Sequence, residues 1–543
     1  MNRHRLQAFF VSAFLLVVST GWIGISAVGS KFPLPPPAAV ESINEADLRQ
    51  HEEFLASDEL GGRYAFSPSN AIVARYLASR LRNYGVRGGA EDESFFQRFE
   101  LVSQQFNPDD SFIEMKQKGG TVRFYFGKDF GLTAPFGAAD VQGELVLVPW
   151  SLMTAPNPLE MDLKGRIAVI PVVRGTSAGA QSTQANSLRF PDRSQARLIR
   201  DLVKVIRERD ATAIILLFNT DAENTLSSEA SPPRLGSGRR LVFPDEVKNQ
   251  PSFPVVRVYD SLVIKAILEG TRVDPKETFA ASVASIQPLG KQVRVRTSMQ
   301  GPKKGTQNVI GILDGADPQL KHEYVMFSAH MDHLESTATE VFNGADDDAS
   351  GTSALLEIAQ AFALGPPPRR SIIIMFHTGE EEGLLGSKYF VEHPTVPLQS
   401  VVVDLNVDMI GRTRRPGDTH PANSELGDAN TVYLIGSDKL SQELHQLSEQ
   451  TNQDTVKMNL DYRYNREDHP QRLYYRSDHW NYAKNGIPVI FYFTGLHEDY
   501  HRPTDDVEKL DFEKMVRIAR LIFSTGWRIA NMDQRLKLDA QSQ

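Results

Sequence analysis

The chain has 543 residues, 41% of them hydrophobic and 23% charged, a balance that describes a folded protein of two or three domains and excludes a disordered one. The net charge of -9 and a pI near 5.9, with no basic stretch interleaved with aromatics, exclude a nucleic-acid partner. There is no cysteine, which rules out disulfides, thiolate nucleophiles, thiolate metal ligands and lipid carried on cysteine.

The chain opens on Arg3 and Arg5 and then runs uncharged over residues 6–30. That is the form of an export signal, with a small-x-small cleavage site at Ala27-Val28-Gly29. The run is also long enough to span a bilayer, for which ~20 residues suffice. A cleaved signal and a single N-terminal membrane anchor both place the rest outside the cytoplasm. "KFPLPPPAAV", residues 31–40, reads as a proline-rich spacer. "EADLRQHEEFLAS" and "SNAIVARYLASRLRNYG" repeat apolar residues at three- and four-residue spacing and predict two helices, the second closed by Gly85. Over residues 131–285 the texture changes to short apolar runs, among them "GELVLVPW", "GRIAVIPVV", "AIILLFN" and "FPVVRVY", around one charged helix, "SQARLIRDLVKVIRERDA". This reads as an inserted β-rich domain, and the basic residues of its helix as a solvated face.

From Asn308 onward apolar β-runs alternate with helices, the pattern of βαβ units and a largely parallel mixed sheet flanked by helices. "EYVMFSA" leads into His330, "RSIIIMF" into Glu380-Glu381-Glu382, "SVVVDLNV" into Asp408 and "IPVIFYFTG" into His501. Asp346, Asp347 and Asp348 precede a helix whose expected buried face is Ala354, Leu355, Ile358, Ala359 and Phe362. Ligands of open α/β sheets bind beyond the carboxyl ends of the strands, so these groups converge on one edge. Two histidines and three carboxylates can hold two divalent metals ~3.5–4 Å apart, which activate water and clamp a tetrahedral intermediate. A further carboxylate beside that water can serve as general base.

"AHMDH", "GADDDASG", "TGEEEGLLGSKYF", "NVDMIGR" and "YHRPTDD" together resemble the co-catalytic dizinc aminopeptidase family, which also contains glutamate carboxypeptidase and the glutaminyl cyclases. The likeness covers residues 43–130 and 286–531, and the insert resembles a protease-associated domain. The resemblance implies an exported aminopeptidase acting on peptides by metal-hydroxide attack. One Zn2+ would sit on His330 and Asp408, a second on Glu381 and His501, with Asp347 bridging them and Glu380 as general base. Co2+ or Mn2+ suits the same donors. Asp346 and Asp348 would be neighbours tolerated by the positive field. Asp332 would orient His330, Tyr500 would donate to the oxyanion or pack, and Asp478 and His479 would border the substrate pocket. Glu382 falls where the family varies and reads as merely polar, and His333, His377 and His497 match no ligand position and read as satisfied polar groups.

Three other readings share the fold. A glutaminyl cyclase would need one zinc. A carboxypeptidase would need a cationic pocket, for which Arg463, Arg466, Arg472 and Arg476 are available. A receptor-like module such as transferrin receptor has lost metal ligands, whereas all five are kept here. The expected partition is an export segment over 1–30, a spacer over 31–42, peptidase parts over 43–130 and 286–535, the insert over 131–285 and a tail over 536–543.

Overall fold

The structure is a computed structural model that describes residues 33–117, 119–133, 137–149, 163–172, 201–218, 239–248, 253–271, 286–466 and 468–539. The expected export segment and residues 173–200 and 219–238 of the expected insert lie outside the described residues. No helix among the described residues is long and apolar enough to cross a membrane.

The catalytic part is built on an eleven-stranded sheet. Its main strands are β1 (Phe96–Phe106), β2 (Lys303–Leu313), β3 (Tyr324–His330), β4 (Ser371–His377), β5 (Val401–Val407), β6 (Thr431–Ile435) and β7 (Val489–Phe493), in the order β1-β2-β4-β3-β5-β7-β6. The centre is parallel: β4 pairs β3, β3 pairs β5 and β5 pairs β7. The pairs β1–β2, β2–β4 and β7–β6 are antiparallel, so the sheet is mixed around a parallel middle. Apart from Tyr324 at the start of β3, those four central strands are buried throughout, which is why they read as unbroken apolar runs and not as alternating ones.

Helices cover both faces. α1 (Glu45–Leu55) and α2 (Pro68–Asn83) start where Asn44 and Ser67 side chains accept N–H groups of the first turn. With α3 (Ser350–Leu364) and α4 (Phe512–Asn531) they bury Leu48, Leu77, Ile358, Phe362 and Phe523 against Phe327 of β3. The opposite face packs Met326, Ile373 and Met375 against Phe390 and Tyr482. The expected spacer is part of this body: Pro37–Ser42 is helical, with Pro37 at a first-turn position that needs no N–H, and Ala39 is buried in the core. Leu536 of the expected tail is buried as well.

The insert forms a second, eight-stranded sheet. It is wider than 131–285, because Phe112–Gln117, Gly120–Tyr125 and Gln287–Thr297 belong to it. Gln287–Thr297 turns Val293 and Val295 inward, while Arg294 and Arg296 reach Asp140 on the neighbouring strand. In the charged helix Leu202 and Ile206 are buried and Lys204 and Arg207 are exposed, the solvated face expected of it. One short strand, Arg240–Val242, leaves the insert and pairs antiparallel with β1 of the catalytic sheet.

Candidate metal centre

The central strands end on one edge, and the expected groups meet there. His330 is the last residue of β3, Glu380 and Glu381 lie just beyond β4, Asp408 just beyond β5, and His501 in the loop after β7. His330 Nδ1 lies 3.0 Å from the carbonyl oxygen of Asp332, which holds the proton on Nδ1 and leaves Nε2 as a lone pair. That Nε2 sits 3.3 Å from Asp347 Oδ1 and 3.6 Å from Asp408 Oδ1, buried and with no hydrogen-bond partner among the described residues. On the other side of Asp347, His501 Nε2 lies 3.2 Å from Asp347 Oδ2 and 3.0 Å from Glu381 Oε2.

Two groups of ligand-type atoms result, His330–Asp347–Asp408 and His333–Asp347–Glu381, each with its atoms within 4.8 Å of one another. They share Asp347. Buried carboxylates packed this closely repel one another unless a cation lies between them, and the orphaned Nε2 of His330 points to where one fits. The donor set therefore suits two divalent cations. The local field is strong: burial opposes charge on His501, but Asp347 and Glu381 push its imidazole up to about 10. Burial, reinforced by Glu381 and Asp408, drives the Glu380 carboxyl well above the usual carboxylate range, against the pull of His330.

The aspartate triplet divides into three roles. Asp347 faces both ligand groups. Asp348 turns inward, where its carboxylate accepts the N–H groups of Gly351, Met409 and His330 at 2.8, 3.2 and 3.2 Å. Asp346 accepts the Gly411 N–H at 2.6 Å and lies 3.2 Å from His497 Nε2. Asp346 and Asp348 are thus the ties that fix the loop to β3 and β5, not neighbours merely tolerated. Gly351 is required by the same packing: a Cβ there would stand 2.5 Å from both Asp348 Oδ1 and the Val407 carbonyl oxygen.

Asp332 acts differently from the expectation. Its carbonyl, not its carboxylate, orients His330; the carboxylate accepts the Glu380 N–H at 3.2 Å and so fixes the backbone of the expected base. Asp478 and His479 do not line the pocket. Asp478 is buried between Ser387 and His377, and His479 packs beneath the pocket with its ring stacked on Phe491. His377 and His497 were expected to be satisfied polar groups and are so on one nitrogen each: His377 Nε2 lies 2.7 Å from the Tyr482 hydroxyl and His497 Nδ1 3.1 Å from Arg412, while their other nitrogens lie 3.1 and 3.2 Å from the Asp478 and Asp346 carboxylates with no hydrogen bond among the described residues. Tyr500 stacks on His501 with ring centroids 3.8 Å apart and turns its hydroxyl towards Arg476.

A pocket opens on this cluster. The acidic groups and His501 line part of it, and Met409, Leu473, Phe491, Phe493 and Leu496 form an apolar wall. Arg476 and Tyr500 complete the lining.

Residues 308–526, which carry every one of these groups, match the sequence profile of peptidase family M28. This part of the chain is similar to the M28 peptidase domain. The chain is 28% identical over 272 residues to a probable zinc metalloprotease of Pyrenophora tritici-repentis, which covers 43% of this chain and 54% of that protein. It is 27% identical over 335 residues to a probable leucine aminopeptidase of Arthroderma benhamiae, covering 56% of this chain and 82% of that one. The match thus spans about half the length of the first curated relatives. In fold the chain is similar to an aminopeptidase from Aneurinibacillus sp. strain AM-1, with a TM-score of 0.53 and 17% identity over 92% of this chain and 97% of that one.

Two residues of this part were given no role in the sequence reading. His333 Nδ1 lies 2.7 Å from Glu381 Oε1, inside the second ligand group. Its signal was the second histidine of "AHMDH". Glu382 accepts the Leu241 N–H of the insert at 3.4 Å. No local signal could show that, since Leu241 is far away in sequence.

Proposed function

We propose that the chain is an exported zinc aminopeptidase that releases N-terminal residues with apolar side chains from peptides. The observation that carries this is the pair of ligand groups sharing Asp347, beside Glu380, in a pocket with an apolar wall. His330 and Asp408 would hold one zinc, Glu381 and His501 the other. Two such ions lower the pKa of water towards ~7 and polarise the scissile carbonyl.

The chain's own residues supply the rest. The Glu380 carboxylate takes the proton of the attacking water and passes it to the leaving amine. Asp332 keeps Glu380 aimed through its backbone N–H. The Tyr500 hydroxyl can donate to the carbonyl oxygen as negative charge builds on it. Met409, Phe491 and Phe493 receive the side chain of the residue released.

The test is hydrolysis of aminoacyl-p-nitroanilides by the full chain beside Glu380→Gln, with metal content by mass spectrometry. About two zinc per chain and a Gln variant that keeps metal but loses about 10²- to 10⁴-fold in rate are expected. Zinc binding without cleavage of any aminoacyl substrate would overturn the aminopeptidase reading. Export is tested by the N-terminus of the protein recovered outside the cytoplasm: Ser30 means a cleaved signal, Met1 an anchor.

A further inference from the structure

We propose that Arg476 binds the free C-terminal carboxylate of the substrate, so that this site acts on di- and tripeptides in preference to longer chains. The inference rests on the hydrolase reading above and adds the substrate class.

The pocket is otherwise acidic or apolar, and Arg476 is the one lysine or arginine in its lining among the described residues. Its neighbours in sequence are all engaged. Arg463 pairs with Asp461 at 2.7 Å, Arg466 with Asp468 at 2.8 Å, and the Arg472 guanidinium lies 4.8 Å from the Tyr475 ring centroid. Arg476 has no acidic partner among the described residues. Its side chain donates one hydrogen bond, from Nη2 to the Tyr500 hydroxyl at 3.2 Å, which leaves the rest of the guanidinium fork open to the pocket. A guanidinium recognises carboxylate with two parallel N–H···O bonds, so an unpaired one at a substrate site is suited to that group.

The arginine is held where it can serve. Arg476 N–H donates to the Leu473 carbonyl, and the next residue, Ser477, donates to Asp408 Oδ2 at 2.7 Å. Tyr500, which orients the guanidinium, stacks on His501. Arg476 is therefore tied at both ends to groups of the metal centre. Its distance from that centre is set by one tyrosine side chain, the reach of one or two extended residues at ~3.3–3.6 Å each. A carboxylate on Arg476 would then belong to a residue just beyond the scissile bond. It can come from the chain terminus or from an acidic side chain, and we assign the terminus.

The experiment compares kcat/KM of the zinc-loaded full chain and of Arg476→Gln on Leu-Gly, Leu-Gly-amide, Leu-Asp-amide and Leu-p-nitroanilide. The wild type is expected to favour Leu-Gly over its amide by about 10- to 100-fold, the value of a charge-assisted contact. In Arg476→Gln that preference collapses, mainly through KM, while the p-nitroanilide, which has no carboxylate, changes far less. Arg476→Lys restores part of the preference. Equal turnover of Leu-Gly and its amide by the wild type would overturn the proposal. So would an equal loss on all substrates in Arg476→Gln, which would make the arginine a support for Tyr500. Preference for Leu-Asp-amide over Leu-Gly would move the carboxylate to a side chain and overturn the assignment to the terminus. Calorimetric binding of Leu-Gly and its amide to Glu380→Gln separates the two readings. Carboxylate-dependent binding without wild-type turnover would sink the hydrolase and keep the arginine site; equal binding would sink the arginine site alone.

Discussion

His333 Nδ1 and Glu381 Oε1 lie 2.7 Å apart at a buried point of the second ligand group, although His501 is the histidine that the resemblance assigns there. His333 is fully buried, whereas His501 keeps about a third of its side chain exposed. The inner imidazole lies against the Glu381 carboxylate, and the outer one faces the same carboxylate from the exposed side. If Glu381 and His501 hold a metal as proposed, His333→Asn is expected to weaken binding there by about 10- to 100-fold, with binding at the proposed His330 and Asp408 site retained. Zinc titration in chelator buffer, read as one site lost and one kept, checks this. Equal weakening of both sites would show that His333 acts on the whole loop instead.

Arg63 is buried, and its guanidinium donates to the carbonyl oxygens of Leu55, Met331, Asn343 and Gly344. Two of these belong to the turn that enters the aspartate triplet and one follows His330, so a single cation clamps both sides of the centre. Nearby Glu52 is also buried, and its carboxyl is raised by burial and eased by Arg63. Arg63→Met would strand four buried carbonyl groups. A loss of about 3–5 kcal/mol is expected, read as a fall in the denaturation midpoint of the metal-loaded chain. Arg63→Lys should recover little of it, because one ammonium cannot reach four acceptors. An unchanged midpoint in Arg63→Met would refute the clamp.

How much of this was legible in the sequence depended on range. β3, β4, β5 and β7 were visible because strands buried on both faces leave unbroken apolar runs. His330, Glu380, Glu381 and Asp408 were visible because each follows such a run closely; His501 comes a loop later, and Asp347 was placed by the helix it precedes. β6, "TVYLI", was missed: it is short and flanked by polar loops. The edge of the insert was misplaced because Phe112–Gln117 and Gln287–Thr297 pair with strands distant in sequence. The same limit hid the inner bonds of the triplet. Asp346 and Asp348 look like Asp347 in a string of letters; only the fold turns one towards Gly411, one towards Gly351 and His330, and one towards the metal groups.

Glu382 joins the insert to the catalytic loop. Its carboxylate accepts the Leu241 N–H, and Leu241 lies in the short strand that pairs with β1. Arg239, at the start of that segment, pairs with Glu335, and Lys388 pairs with Glu246. Removing the central tie should free both sides together. Glu382→Ala is expected to speed amide hydrogen exchange at 239–243 and at 379–385 in concert, with exchange in α4 unchanged. Faster exchange in only one of the two segments would mean that Glu382 does not couple them.

Asp404 gives the stability a pH dependence of defined sign. It is buried on β5, its Oδ1 accepts the Ser328 hydroxyl at 2.7 Å, and its other oxygen has no partner among the described residues. Burial pushes its carboxyl up to about 8, with Asp478 adding to the rise and Ser328 opposing it. The folded state thus holds the proton where the unfolded chain, with an ordinary pKa near ~4, has released it. Stability from this group is complete below about pH 4, falls as the unfolded chain ionises, and is lost by the time the pH has passed about 8. Asp404→Asn keeps the shape and the acceptor for Ser328 and cannot ionise. Its melting temperature relative to the wild type should therefore climb from pH 5 to about pH 8 and level off above it. A difference that stayed constant across that range would show that Asp404 does not titrate between the two states.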